Sequence, residues 1–129
     1  MFNTRLLLAG VALWLAGSVC VRFAGQYFLR PDLPALTLLL YAASFIVMAL
    51  LARRLCRAVG LTTELWPAGA ISLALPSLLL DGIASCFFPL VYPNVNSSAA
   101  GIFGGWILLC CADAFSGAIF SAQPARIDK

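Results

Sequence analysis

Arg22, Asp81 and Asp113 stand inside long stretches that carry almost no other charge, and any chemistry of this chain must involve them. At the centre of a membrane helix each costs about 2.5 to 3.5 kcal/mol on insertion scales, so each needs a partner or a task. Ser18, Arg22 and Gln26 follow one another at i, i+4 and i+8, which places them in one polar stripe on a helix. Ser77, Asp81 and Ser85 repeat that spacing. Arg22 lies 16 residues after Leu6 and Asp81 lies 16 after Leu65, so both reach about 24 Å along their helices. The two stripes are therefore expected to face each other, with a charge-assisted hydrogen bond from Arg22 to Asp81 at the centre.

These six residues form the candidate pocket, opening to the outer face, where an anionic or polar solute would meet Arg22. Pro76 and Pro89 free the carbonyls of Ser72 and Ser85, and Gly82 loosens the same segment, as in helices broken around transporter sites. The plainer reading is a structural lock that fixes helix register, and intramembrane ion pairs more often serve that role. Asp113 is a secondary candidate, about 22 Å along the last span. Its expected partners are Arg54 and Arg57, and a proton relay ranks below that pairing.

Much chemistry is excluded by what the chain lacks. It has no histidine, which rules out Ser-His-Asp and Cys-His sites and argues against ordinary zinc or haem ligation. Of the five cysteines, Cys20, Cys56, Cys86, Cys110 and Cys111, no two have the C-x-x-C spacing of a thiol oxidoreductase, and vicinal Cys110 and Cys111 read as small apolar side chains. Phosphate-cradling loops are missing too. No catalytic residue, metal or cofactor is expected, and the chain reads as a non-enzyme.

The elements that position these residues are membrane spans. Hydrophobic residues make up 63% of the chain, charged ones 10%, and the mean hydropathy is +1.00. A domain of 129 residues cannot bury that much apolar surface in itself. Its main partner is the lipid bilayer. The net charge of +3 sits at helix ends, so it marks orientation and not a nucleic-acid surface.

Spans are expected at 6–29, 34–52, 65–91 and 98–121, with the loop 53–64 between the second and third. Together they make one all-α transmembrane domain over 1–129, four helices in an up-down bundle. Arg30-Pro31-Asp32-Leu33-Pro34 and the Pro93-Asn94 turn close two hairpins. Gly60 stops the second helix, Thr62 or Thr63 caps the third, and Pro67 falls in its first turn.

Arg5, Arg53, Arg54, Arg57, Arg126 and Lys129 lie on one side and Arg30 on the other. That bias places both termini in the cytoplasm and the protein in the cell's inner membrane. Trp66 suits the inner interface, Tyr27 and Tyr92 the outer one. Arg5 and the apolar run after it resemble a signal peptide, but hydrophobicity continuing to Leu29 favours a retained span.

Ser98, Gly101, Gly105, Ala112 and Ser116 make a small-residue face in which Gly101 and Gly105 form a GxxxG pair, open to a helix of the same chain or of a second copy. A homo-oligomer is expected, because four spans enclose little space. An offset of 59 residues pairs Ser18 with Ser77, Arg22 with Asp81, Phe28 with Phe87 and Pro34 with Pro93. Two parallel hairpins are one way to build a transport unit.

The second half, through Leu75-Pro76-Ser77-Leu78-Leu79-Leu80-Asp81, Phe87-Phe88-Pro89-Leu90-Val91-Tyr92-Pro93-Asn94 and Ala99-Ala100-Gly101-Ile102-Phe103-Gly104-Gly105-Trp106, resembles a family of small bacterial four-span membrane proteins known only as a domain of unknown function. The resemblance implies a four-helix membrane domain in which Asp81 and the Pro-Asn turn matter. It brings no substrate, and Asp113 is not part of its pattern. Small multidrug exporters are similar in size but need a glutamate in the first span, where this chain has Arg22. The expected function is a small transporter or channel subunit of unknown substrate; the alternative is an interaction protein that docks a partner through the GxxxG face.

Overall fold

A computed structural model describes residues 3–121; Arg126, Asp128 and Lys129, assigned above to a polar tail, lie outside them. Helix α1, Thr4–Phe28, starts where the Asn3 side chain accepts a hydrogen bond from the Leu6 amide at 3.2 Å, which satisfies an otherwise orphaned donor. Helix α2, Pro34–Ala58, opens on a proline whose missing N–H costs nothing there. A 3-10 turn, Thr63–Leu65, leads into α3, Trp66–Cys86, and α4 is a single turn, Phe88–Val91. A second 3-10 turn, Ser97–Ala99, leads into α5, Ala100–Ser121, and Asn96 caps it by accepting from the Ser98 amide at 3.0 Å.

No strand occurs among the described residues, so the fold is all-α. Thr4–Phe28, Pro34–Ala58, Thr63–Cys86 and Ser97–Phe120 are long and apolar enough to cross a membrane. The chain is a small multi-pass membrane protein.

Two boundaries differ from expectation. Helix α2 continues through Arg53, Arg54 and Arg57 to Ala58, because nothing breaks it before Gly60, whose φ of 77° ends the turn after it. Arginine is a good helix former and adds no break. The third span ends at Cys86 and not at residue 91, because Pro89 cannot donate to a continuing ladder, and the chain kinks at Phe87 before restarting as α4. Pro76, by contrast, is carried inside α3.

Helix α1 packs mainly on α3, α2 mainly on α5, and α3 and α5 lie against each other. Contacts advance in step, from Asn3 with Ser72 to Arg22 with Val91, and from Tyr41 with Ile102 to Arg53 with Gly117. Both pairs are therefore parallel. Glycines allow the close approach: a Cβ on Gly10 would strike the Leu73 carbonyl, and one on Gly117 would lie 2.7 Å from the Ala49 carbonyl oxygen.

A shift of 59 residues carries α1 onto 63–87 and α2 onto 93–117, close to the observed Thr63–Cys86 and Ser97–Phe120. It also superposes Gly10 on Gly69, Leu29 on Phe88 and Ala52 on Cys111, all buried. The two hairpins thus have similar lengths and order, and their first helices pack side by side, as do their second.

The GxxxG pair is divided by this packing. Gly105 faces the Tyr41 hydroxyl of α2, whereas Gly101 has nothing within 4 Å, so the two do not present one free face. Trp66, at the start of α3, and Tyr92, just past α4, are both buried within the chain. Tyr92 packs between Phe88 and Phe103, with ring centroids 5.5 and 5.0 Å away, and Trp66 donates to the Leu61 carbonyl at 3.1 Å. Tyr27 is exposed.

Candidate functional site

The four long helices line a half-open cavity of about 170 Å³. Helix α1 contributes Leu13, Trp14, Gly17, Ser18 and Val21, α2 Met48, α3 Ser77 and Asp81, and α5 Phe103, Trp106, Ile107 and Cys110; Tyr92, just past α4, completes the wall. A smaller space of about 60 Å³ adjoins it and shares Ser77, Asp81 and Cys110.

Asp81 is the buried acid common to both spaces. Its Oδ1 accepts a hydrogen bond from Trp14 Nε1 at 2.9 Å. An indole N–H buried among apolar side chains needs an acceptor, and the carboxylate supplies it. No other hydrogen bond to Asp81 occurs among the described residues, and the residue lines both spaces.

The expected ion pair between Arg22 and Asp81 does not form; among the described residues the ion pair is Arg30 with Asp32, 2.7 Å apart at the first hairpin. Contacts between α1 and α3 run at offsets of 63 residues for Gly10 with Leu73 and 67 for Trp14 with Asp81, one to two helical turns from the 59 that would align Arg22 with Asp81. Arg22 instead reaches α4, where Nη1 donates to the carbonyls of Val91 at 2.7 Å and Leu90 at 3.3 Å. Those carbonyls end a helix of one turn, so they lack intrahelical donors and attract a cation. The break at Pro89 thus creates the acceptors that divert Arg22.

The polar stripes divide accordingly. Ser18 and Ser77 line the cavity with Asp81, and the Tyr92 hydroxyl donates to Ser18 Oγ at 3.3 Å. Gln26 belongs to the hairpin ends: Asn94 Nδ2 donates to Gln26 Oε1 and to the Val21 carbonyl at 2.9 Å. Ser85 is exposed and outside the cavity.

Asp113 is buried, borders neither space, and leaves Oδ2 without a partner among the described residues. It pairs with neither Arg54 nor Arg57. Arg53 Nε donates to the Gly117 carbonyl of α5 at 2.9 Å.

Sequence reasoning missed Trp14, Phe103 and Trp106. Their position carried a signal, since aromatic residues of membrane helices concentrate at the two interfaces, and a tryptophan near mid-span needs a buried acceptor. Both obtain one: Trp14 from Asp81, and Trp106 from Ser44 Oγ at 2.7 Å.

No group of three or more His, Cys, Asp or Glu side chains suited to a metal occurs among the described residues, and all five cysteines are free thiols. Cys110 borders the cavity, without a second thiol on that wall. The arrangement can accept hydrogen bonds and oppose a positive charge; it has no nucleophile–base pair.

Neither a curated protein nor a solved structure matches the chain. Residues 28–125, most of its length, match the model of a family of unknown function, DUF5367, and the chain belongs to that family.

Proposed function

We propose that this protein is a small solute carrier of the membrane, a transporter or channel subunit whose solute occupies the chamber around Asp81. One observation carries the reading: a buried carboxylate with a single donor borders a half-open cavity of about 170 Å³ lined by residues of all four long helices. A lone acid in such surroundings is expensive, and solute pathways are where that expense is commonly retained. The solute class shifts from the anion expected at Arg22, because Arg22 is not among the cavity-lining residues.

In this reading the protein is not an enzyme, lies in the inner membrane and keeps both termini cytoplasmic, as the distribution of Lys and Arg supports. The Trp14 indole holds Asp81 in place on the cavity wall.

Thiol accessibility tests the chamber. In a variant with its five native cysteines replaced by alanine, Ser77→Cys is expected to react with a small membrane-impermeant thiosulfonate at least ten times faster than Leu79→Cys. Leu79 lies on the same helix but is 62% exposed on its outer face. If Ser77→Cys reacts as slowly as Leu79→Cys while Asp32→Cys in the hairpin reacts readily, the space is sealed and the carrier reading fails.

A further inference from the structure

The chamber's own chemistry identifies the kind of solute, an inference that rests on the carrier reading above. We propose that it takes a small organic cation with a compact, methylated ammonium head, held against Asp81 and walled by Trp14, Tyr92, Phe103 and Trp106.

Charge sets the sign. The cavity wall holds one carboxylate and no basic side chain. The arginine nearest in sequence, Arg22, is bound to the carbonyls of Leu90 and Val91. An anion would meet Asp81 without compensation, and a neutral solute would leave the acid unbalanced. A cation offsets the cost of the buried charge.

The wall then decides between kinds of cation. Beyond Asp81, its polar side chains are Ser18, Ser77, the Tyr92 hydroxyl, the Cys110 thiol and the Trp14 and Trp106 indoles. The Tyr92 hydroxyl donates to Ser18 and each indole N–H already has an acceptor. A hard metal ion asks for six or more oxygen ligands, far more than remain. A methylated ammonium asks for none, because its charge is spread over apolar methyl groups that pack against aromatic faces. Tyr92 and Phe103 are packed against each other and almost fully buried, so the aromatic surface open to a ligand on this wall is that of the half-buried Trp14 and Trp106.

Size limits the ligand. The space of about 170 Å³ is close to the ~150 Å³ cavity that admits benzene, so a cation of roughly five to seven heavy atoms fits and a bulky tetra-aryl cation does not.

Three probes separate charge from shape: tetramethylammonium, choline, and 3,3-dimethylbutan-1-ol, which has choline's outline without its charge. Binding to the purified full-length protein in lipid nanodiscs is read by tryptophan fluorescence and by titration calorimetry. Choline and tetramethylammonium are expected to saturate a site, with the neutral alcohol at least tenfold weaker. Asp81→Asn, which keeps an oxygen acceptor for the Trp14 indole, is expected to abolish that preference while its helicity and elution volume stay those of the wild type.

Equal binding of choline and the alcohol, or undiminished cation binding by Asp81→Asn, overturns the proposal and leaves the chamber intact. Binding of none of the three overturns it as well, and the Ser77→Cys reaction then decides whether the carrier reading survives: fast labelling keeps it and slow labelling removes it.

Discussion

The first and second hairpins follow one plan but occupy different places. Only 17% and 6% of the span residues of α1 and α2 are buried, against 39% and 33% in the spans ending with α3 and α5. The second hairpin is the centre and the first is applied to its outside. At one position the two hairpins share both residue and place, since Ser18 and Ser77, 59 residues apart, both line the cavity. Where they diverge, so does the role, and the Arg22 position of the first hairpin anchors the α4 carbonyls while the Asp81 position of the second borders the chamber.

The sharpest way to break this comparison is through its two equivalent glycines. A methyl group on Gly10 would collide with the backbone carbonyl of Leu73, which cannot move without shifting α3. Gly10→Ala is expected to cost about 3 kcal/mol, the upper range for overpacking. The same methyl on Gly69 would meet only the side-chain ends of Leu61, Cys56 and Leu6, at 2.8 to 3.1 Å. Those ends can rotate, and the gain of about 1 kcal/mol in helix propensity offsets the crowding, so Gly69→Ala should be near neutral. Thermal unfolding in detergent measures both, and equal losses would mean that the two hairpins approach their neighbours alike.

A smaller effect examines the diverged pair. Because Arg22 and Asp81 touch different groups, the losses from Arg22→Leu and Asp81→Asn should add, with a coupling under about 0.5 kcal/mol. Trp14→Phe and Asp81→Asn share a hydrogen bond and should couple by about 1 kcal/mol. A coupling above about 1 kcal/mol between Arg22 and Asp81 would restore the ion pair.

How far residues alone could reach is clear from this pair. Four spans were legible, since twenty-residue apolar runs and prolines mark membrane helices regardless of neighbours. Ser18, Ser77 and Asp81 were legible as inward-facing, because i, i+4 spacing fixes a helical face. Register between helices was not, since it depends on where backbones can touch, and the contacts of α1 with α3 run one to two turns from the expected offset. The fate of Arg22 was hidden for a second reason. A proline reveals that a carbonyl is freed, but not which distant side chain will reach it. Asp113 shows a third, because α5 packs against both α2 and α3 and its own sequence does not say which of them a given side chain meets.

The hairpin tips provide the mildest contrast. In the second, Asn94 is tied to α1 through the Val21 carbonyl and Gln26, and Asn94→Ala should cost about 1 kcal/mol. In the first, the Arg30–Asp32 pair is solvated and bridges neighbours in one turn, so its loss should be felt less. The hydrogen bond from Arg30 holds the Asp32 carboxyl below its ordinary value. A carboxylate whose folded pKa is lowered contributes stability above its unfolded value, near 3.9, and loses it as pH falls through the lowered one. The thermal midpoint should therefore show no Asp32 contribution to its pH dependence between about pH 8 and 5, where the group is charged in both states, and only a slight acid decline below about pH 4 that Asp32→Asn removes. A larger loss for Asp32→Asn than for Asn94→Ala would reverse the ranking and make the first tip the stronger clasp of the two.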